Sequence, residues 1–251
     1  MSIQYINKFI PEGVGQLATL ILKYLNDEKK VLWLVCGGSN MPISVQILNT
    51  MKLELDKEGK RYILKNATVI LTDERYSSIN HPDSNWRQLR EAGFDFEAVN
   101  TIPVLIGASL EETTKMFGVN LRDAWSNNDI IIGQFGIGTD SHIAGVLPRT
   151  IGVSNPGTVV SYDAGKWKRV TITLATIAKL DHAYAFVYGE SKRDAMNSLV
   201  GNLSGNSNGS NVGESSTQNV DDVEPGEAIL EAQPAQILKK VKDAVVYSDL
   251  V

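Results

Sequence analysis

Short apolar runs alternate with helical stretches along this chain. That alternation predicts an α/β fold of three layers, a mostly parallel Rossmann-like sheet flanked by helices. Two observations carry it. Runs such as Val31–Cys36 are continuous, apolar and too short for helices, as expected of strands buried on both faces. Between them lie longer segments whose apolar residues recur with a helical period. With 251 residues, 43% of them hydrophobic and 21% charged, the chain can bury a sizeable core and has ordinary globular composition.

The first helix is expected from about Val14 to Asn26, where Leu17, Leu20, Ile21, Tyr24 and Leu25 form one stripe. Charged residues from Asp27 to Lys30 end it, and the Val31–Cys36 strand follows. Gly37-Gly38-Ser39 closes that strand and leads into a helix from about Pro42 to Leu55, with proline in the first turn. Ala67–Leu71, Asp129–Phe135, Val170–Leu174 and Ala183–Tyr188 read as further strands, and Ala244–Tyr247 as the last. Helices are expected near Ser84–Ala92, Leu110–Trp125 and Ser191–Val200. The stretch 201–226 is rich in Gly, Asn and Ser and reads as a mobile insertion, because it has too little apolar surface to offset its ordering entropy. A final strand joining the same sheet makes 1–251 one domain interrupted by that loop. No internal repeat is visible.

Charge and cysteine content narrow the function classes. Lys plus Arg is 24 and Asp plus Glu is 29, a net charge of −5, which argues against a general nucleic-acid binder but leaves room for a local anion pocket. One cysteine forms no internal disulfide, which suits a reducing compartment. The first residues show no secretory pattern, and no apolar run is long enough to span a bilayer. A soluble, cytoplasmic protein without nucleic-acid or membrane partners is expected.

In an open parallel sheet, ligands bind beyond the carboxyl ends of the strands. Four polar or glycine-rich clusters follow four predicted strands: Gly37-Gly38-Ser39, Asp73-Glu74-Arg75, Gly136 to His142, and Gly189-Glu190-Ser191-Lys192. Their convergence on one pocket is more informative than any single motif. Gly37-Gly38-Ser39 offers backbone N–H groups and a helix start to an anion, though a tight turn alone explains it equally well. It matches neither a P-loop nor a dinucleotide fingerprint, and Ser141 breaks the latter at Gly136-x-Gly138. Asp73-Glu74-Arg75 taken alone reads as a solvated loop, followed by a helix cap at Asp83 or Ser84.

Asp140-Ser141-His142 is the sharpest local candidate. An imidazole next to a carboxylate suits proton transfer near neutral pH, and His142 is expected at a helix start. His182 reads as structural or surface, His81 as a residue of the pocket border or of the exposed loop, and Cys36 as a small buried hydrophobe. Ser39 has no glycine two residues on, so a nucleophile elbow is absent, and no metal-ligand spacing occurs. Metal-free chemistry on a small anion is what remains.

These segments resemble the 6-phosphogluconolactonases, within the sugar-phosphate isomerase and deaminase superfamily that includes glucosamine-6-phosphate deaminase. The resemblance rests on Val35–Ser39, on Thr72–Tyr76 with His81–Arg87, on Phe135–Ala144, and on Lys168–Thr173 with Gly189–Lys192. It covers nearly the whole chain outside 201–226. It implies hydrolysis of 6-phospho-D-glucono-1,5-lactone to 6-phosphogluconate, a step of the pentose phosphate pathway, without metal or organic cofactor. His142 would be the general base on water, Asp140 its orienting partner, and Asp73 and Arg75 would line the reacting end. The phosphate and sugar would meet Gly37, Gly38, Ser39, Asn85, Arg87, Arg169 and Lys192. A monomer or small homo-oligomer acting on a sugar phosphate is expected.

Departures from the family pattern cluster at the same site. Ser141 stands where the relatives carry glycine, Gly145 where lactonases carry serine, and Asn40-Met41 where Thr-Pro is usual. Tyr76-Ser77-Ser78 replaces the usual Tyr-Val-Pro. Deaminases continue their third motif with Phe-Asn-Glu-Pro, and the position of that glutamate is Leu147 here, which favours the lactonase. Gly136-Ile137-Gly138 and Ile143 are deaminase-like. The alternatives are therefore an aminosugar-phosphate deaminase or isomerase, and a sugar-phosphate-binding protein that has lost catalysis.

Overall fold

A computed structural model of the chain describes residues 2–7, 10–201 and 225–250. Its strands in chain order are β1 (Ser2–Asn7), β2 (Val31–Val35), β3 (Ala67–Leu71), β4 (Asp73–Arg75) and β5 (Asn100–Ile102). They continue as β6 (Ile130–Phe135), β7 (Val159–Asp163), β8 (Lys168–Ile172), β9 (His182–Val187) and β10 (Asp243–Ser248). The helices are α1 (Ile10–Asn26), α2 (Met41–Lys57), α3 (Asn85–Glu91) and α4 (Leu110–Ser126), then α5 (Ile151–Ser154), α6 (Leu174–Ile177), α7 (Arg193–Val200) and α8 (Glu227–Ala232).

Seven strands form one sheet in the order β1-β10-β9-β6-β2-β3-β5, every neighbouring pair parallel. All five residues of β2 are buried, as a strand covered on both faces requires. The chain leaves β2 toward β3 and β5 on one side, and returns to β6, β9 and β10 on the other. The direction of winding therefore reverses between β2 and β6, and such a switch point opens a crevice at the carboxyl ends of the two strands. Helices flank the sheet; α1 buries Leu17, Ala18, Ile21 and Leu25. Gly13 lets α1 approach closely, because a Cβ there would lie 2.6 Å from the Phe186 ring and 2.9 Å from that of Tyr247. The α/β class is as expected.

Two expectations need correction. The segment Val170–Leu174 is not a strand of the parallel sheet. Its strand is Lys168–Ile172, the centre of a separate antiparallel sheet in the order β4-β8-β7, and Leu174 already begins α6. Asp73-Glu74-Arg75 is accordingly not a solvated loop but a strand, paired with Thr171, Val170 and Arg169. Strands β1, β5 and β7 add to those expected. The stretch from 202 to 224, where the mobile insertion is expected, lies outside the described residues.

Candidate active site

Where β2 ends, Gly37 and Gly38 differ in why they must be glycine. Gly38 has φ +72, the left-handed region, with open space around it. Gly37 is held bare by a neighbour: a Cβ there would fall 2.5 Å from Oδ1 of Asn85, whose carboxamide lies against the Cα. A short 3₁₀ turn, Gly38–Asn40, then delivers the chain into α2, with Pro42 in its first turn. Asn40 is buried, and its Nδ2 donates to the carbonyls of Phe135 (2.7 Å) and Phe186 (3.1 Å). The residue standing in place of a hydroxyl thus ties together the carboxyl ends of β6 and β9. Cys36 is buried beside it, and loss of solvation pushes its thiol up to about 12, which fits the reading of a small hydrophobe.

Beyond β6 the expected helix start at His142 is not found. The chain makes a tight turn closed by Gly138 N–H to the His142 carbonyl (2.9 Å) and Ser141 N–H to the Gly138 carbonyl (3.0 Å). Ser141 takes φ +63, a left-handed conformation that a serine holds at some steric cost. The turn places Asp140 Oδ1 2.5 Å from His142 Nδ1, and the same oxygen accepts the His142 backbone N–H at 3.2 Å. The hydrogen bond from the imidazole holds the Asp140 carboxyl down to about 2, against an opposing effect of partial burial. An ionised Asp140 orients Nδ1 as a donor and leaves Nε2 as the basic nitrogen. Gly138 is indispensable to this pair, because a Cβ there would sit 2.0 Å from Nδ1 and 2.6 Å from Asp140 Oδ1.

The small sheet supplies the opposite wall. Asp73 is 4% exposed; it accepts from Arg169 Nη1 at 3.0 Å and from the Thr72 hydroxyl at 3.2 Å. Arg75 Nη1 donates to the Asp83 carbonyl at 3.1 Å and lies 3.4 Å from Gln88 Oε1. Asn85 Nδ2 donates to the Asp73 carbonyl at 3.0 Å. Ser84 caps α3 by accepting from the Arg87 N–H, which settles the cap between Asp83 and Ser84.

The expected site residues Gly37, Gly38, Ser39, Asp73, Arg75 and Asn85 line one cleft together with His142, Arg169 and Lys192. Asp140 stands behind His142. Arg87 is not brought together with them: its Nε is paired with Glu91 at 2.7 Å and its Nη1 with the Asn80 carbonyl at 2.7 Å, apart from the cleft lining. The Glu91 partner one helical turn away draws its guanidinium along α3. His81 also lies outside, its ring 5.1 Å from that of Trp167. His182 is structural, bridging the Tyr24 hydroxyl (2.9 Å) and Asp243 (2.7 Å). Sequence reasoning missed the wall formed by Phe186, Val187 and Tyr188, which reads only as the apolar end of β9. Among the described residues, no group of three or more His, Cys, Asp or Glu is arranged to hold a metal ion. No described helix is long and apolar enough to cross a membrane.

Comparisons with known proteins bear on the fold and the family. The chain superposes on a 6-phosphogluconolactonase from Thermotoga maritima with a TM-score of 0.72 at 17% identity, covering 98% of each chain. A 6-phosphogluconolactonase from Trypanosoma brucei gives 0.70 at 15% identity, over 99% of this chain and 97% of that one. A monomeric glucosamine-6-phosphate deaminase gives 0.66 at 20% identity, over 99% and 97%. At such identities these structures establish the shared fold. No curated protein matches the chain. The model of the family described as glucosamine-6-phosphate isomerases/6-phosphogluconolactonase matches residues 7–214, and the chain belongs to that family.

Proposed function

We propose that the protein hydrolyses 6-phospho-D-glucono-1,5-lactone to 6-phosphogluconate, with His142 as general base. The observation that carries this reading is the Asp140–His142 pair in a cleft that also holds Arg169, Lys192 and the glycine turn after β2. Nε2 of His142 takes a proton from water as its oxygen attacks the lactone carbonyl. The resulting oxyanion collapses, the bond from C1 to the ring oxygen breaks, and Nε2 returns its proton to that oxygen. The products are a free hydroxyl and a carboxylic acid, which ionises. An activated ester needs no more than positioning, one proton acceptor and cationic donors.

Lys192 and the N–H groups of Gly37–Ser39 hold the phosphate in this reading, while Arg169, steadied by Asp73, faces the substrate with its remaining donors. The deaminase alternative lacks support at Leu147, whose side chain transfers no proton and which lies outside the cleft. We read the 251 residues as one domain acting in the cytoplasm, as a monomer or small homo-oligomer. The test is an assay with freshly generated lactone against an enzyme-free control, beside an assay of ammonia release from glucosamine 6-phosphate. Accelerated lactone opening without ammonia release is expected. Ammonia release would transfer the assignment to the deaminase, and binding without turnover of either substrate would identify a lapsed enzyme.

A further inference from the structure

Glu74 lies between two cleft residues, Asp73 and Arg75, yet it is fully buried and faces away from the substrate space. A buried carboxylate is costly unless its oxygens are satisfied. Here Oε1 accepts the backbone N–H groups of Arg75 (2.8 Å) and Asn85 (2.6 Å), and Oε2 accepts the Trp86 N–H (2.9 Å) and the Ser84 hydroxyl (3.0 Å). Those donors come from β4 and from the first turn of α3, so this one side chain sets where α3 sits relative to the small sheet. Burial raises the Glu74 carboxyl above the usual range, and the hydrogen bonds oppose that rise.

The consequence runs on into the cleft. Asn85, fixed through its backbone by Glu74, donates from Nδ2 to the Asp73 carbonyl, and its carboxamide packs on Gly37. Asp73 in turn receives Nη1 of Arg169 at 3.0 Å, the side chains of that pair being 5% and 20% exposed. We propose that Glu74 is a positioning residue that sets the direction of the Arg169 guanidinium, acting through Asn85 and Asp73. The inference rests on the reading of Arg169 as a substrate-facing cation. At the start of α3 the hydroxyl oxygen of Ser84 takes the Arg87 N–H, while Glu74 takes those of Asn85 and Trp86 and, beyond the helix, that of Arg75 on β4. The additional charge is placed where β4, α3 and the cleft wall meet.

The experiment is a double-mutant cycle of Glu74→Gln with Arg169→Ala. The readouts are KM and kcat for the lactone, 6-phosphogluconate affinity by calorimetry, and a melting curve for each variant. Glutamine keeps the shape but turns an amide N–H₂ toward backbone donors, so half of the acceptor set is lost. Glu74→Gln is expected to raise KM and weaken product binding about tenfold in the wild-type background, and less than about twofold once Arg169 is alanine. The same factor in both backgrounds, or no change in the first, would overturn the proposal, because a purely structural residue acts independently of Arg169.

Should Glu74→Gln fail to fold, Ser84→Ala removes one donor to the same carboxylate together with the α3 cap, and the loss of the cap acts equally in both backgrounds. It is expected to show the same background dependence at about threefold, and equal factors in the two backgrounds overturn the inference equally. If the wild-type protein neither opens the lactone nor binds the product, the functional reading itself fails, and this inference falls with it.

Discussion

Asp140 Oδ1 lies 2.5 Å from Nδ1 of His142, two residues further on. That contact decides which nitrogen is left for chemistry. It exists because the chain between the two side chains is turned back sharply at Ser141, with a positive φ, and because Gly138 leaves the space empty. Base, orienting carboxylate and turn form one local unit, built from residues 138 to 142.

Replacement of His142 by alanine is expected to lower kcat by at least about a hundredfold with little change in melting temperature, since the imidazole is partly exposed and caps nothing. Asp140→Asn is expected to lower kcat by at least about tenfold, because a neutral amide no longer holds Nδ1 as a donor or stabilises the imidazolium formed when Nε2 takes a proton. The Asp140 carboxyl is depressed in the folded protein from an ordinary 3.8 to about 2, so its pairing stabilises the fold above 3.8 and that contribution fades as pH falls toward 2. Melting curves of wild type and Asp140→Asn should therefore differ near neutrality and converge at the acid end. A gap that widens in acid would contradict the pairing.

Gly138→Ala should lower turnover in the same direction as His142→Ala, with both side chains of the pair left chemically intact. The added methyl would overlap Nδ1 at 2.0 Å, and the imidazole must swing away from Asp140 to admit it. A soluble, folded variant with kcat down by at least about tenfold is expected. Retained activity would mean that the pair is not needed in this geometry.

Phosphate recognition separates two cations that look alike in sequence. Lys192 lines the cleft, whereas Arg87 is drawn along α3 by Glu91 and the Asn80 carbonyl. Lys192→Ala should raise KM roughly tenfold to a hundredfold, as loss of a hydrogen bond to a charged group does. Arg87→Ala should leave KM unchanged. Steady-state kinetics on the two variants decides the point, and the reverse ranking would move the phosphate to the α3 side.

How much of this was legible before the structure differs from element to element, for physical reasons. β2, β3, β6, β9 and β10 are read from apolar runs because both of their faces are buried, and a strand in that environment needs no partner information to be recognised. β4 is three charged residues and became a strand only through pairing with β8, which no local pattern announces. Asp73 and Arg169 sit on that pairing, so their ion pair was equally hidden even though both residues were suspected. Arg87 turns along α3 toward Glu91, a competing partner that stands four residues later in the sequence. Tyr188 closes one wall of the cleft but reads as the end of an apolar strand, with nothing local to mark it as lining a site.

Gly145 tests whether the departures around the site belong together. Lactonases usually carry serine there, but in this chain a Cβ at 145 would meet Asp73 Cβ at 2.8 Å, and Cβ and Oγ1 of Thr171 at 2.9 and 3.0 Å. Those atoms belong to the paired strands β4 and β8 and cannot swing aside as a long side chain would. The Thr171 hydroxyl already occupies the region, accepting the Gly145 N–H at 3.1 Å and donating to the Ile172 carbonyl at 3.0 Å. Restoring the family residue with Gly145→Ser is therefore expected to destabilise the protein by about 1–3 kcal/mol, seen as a melting temperature several degrees lower. It should also reduce turnover, because the strand carrying Asp73 must shift to admit the new side chain. An unchanged melting temperature and full activity would show that the wall yields freely, and that glycine at 145 is not demanded by Thr171.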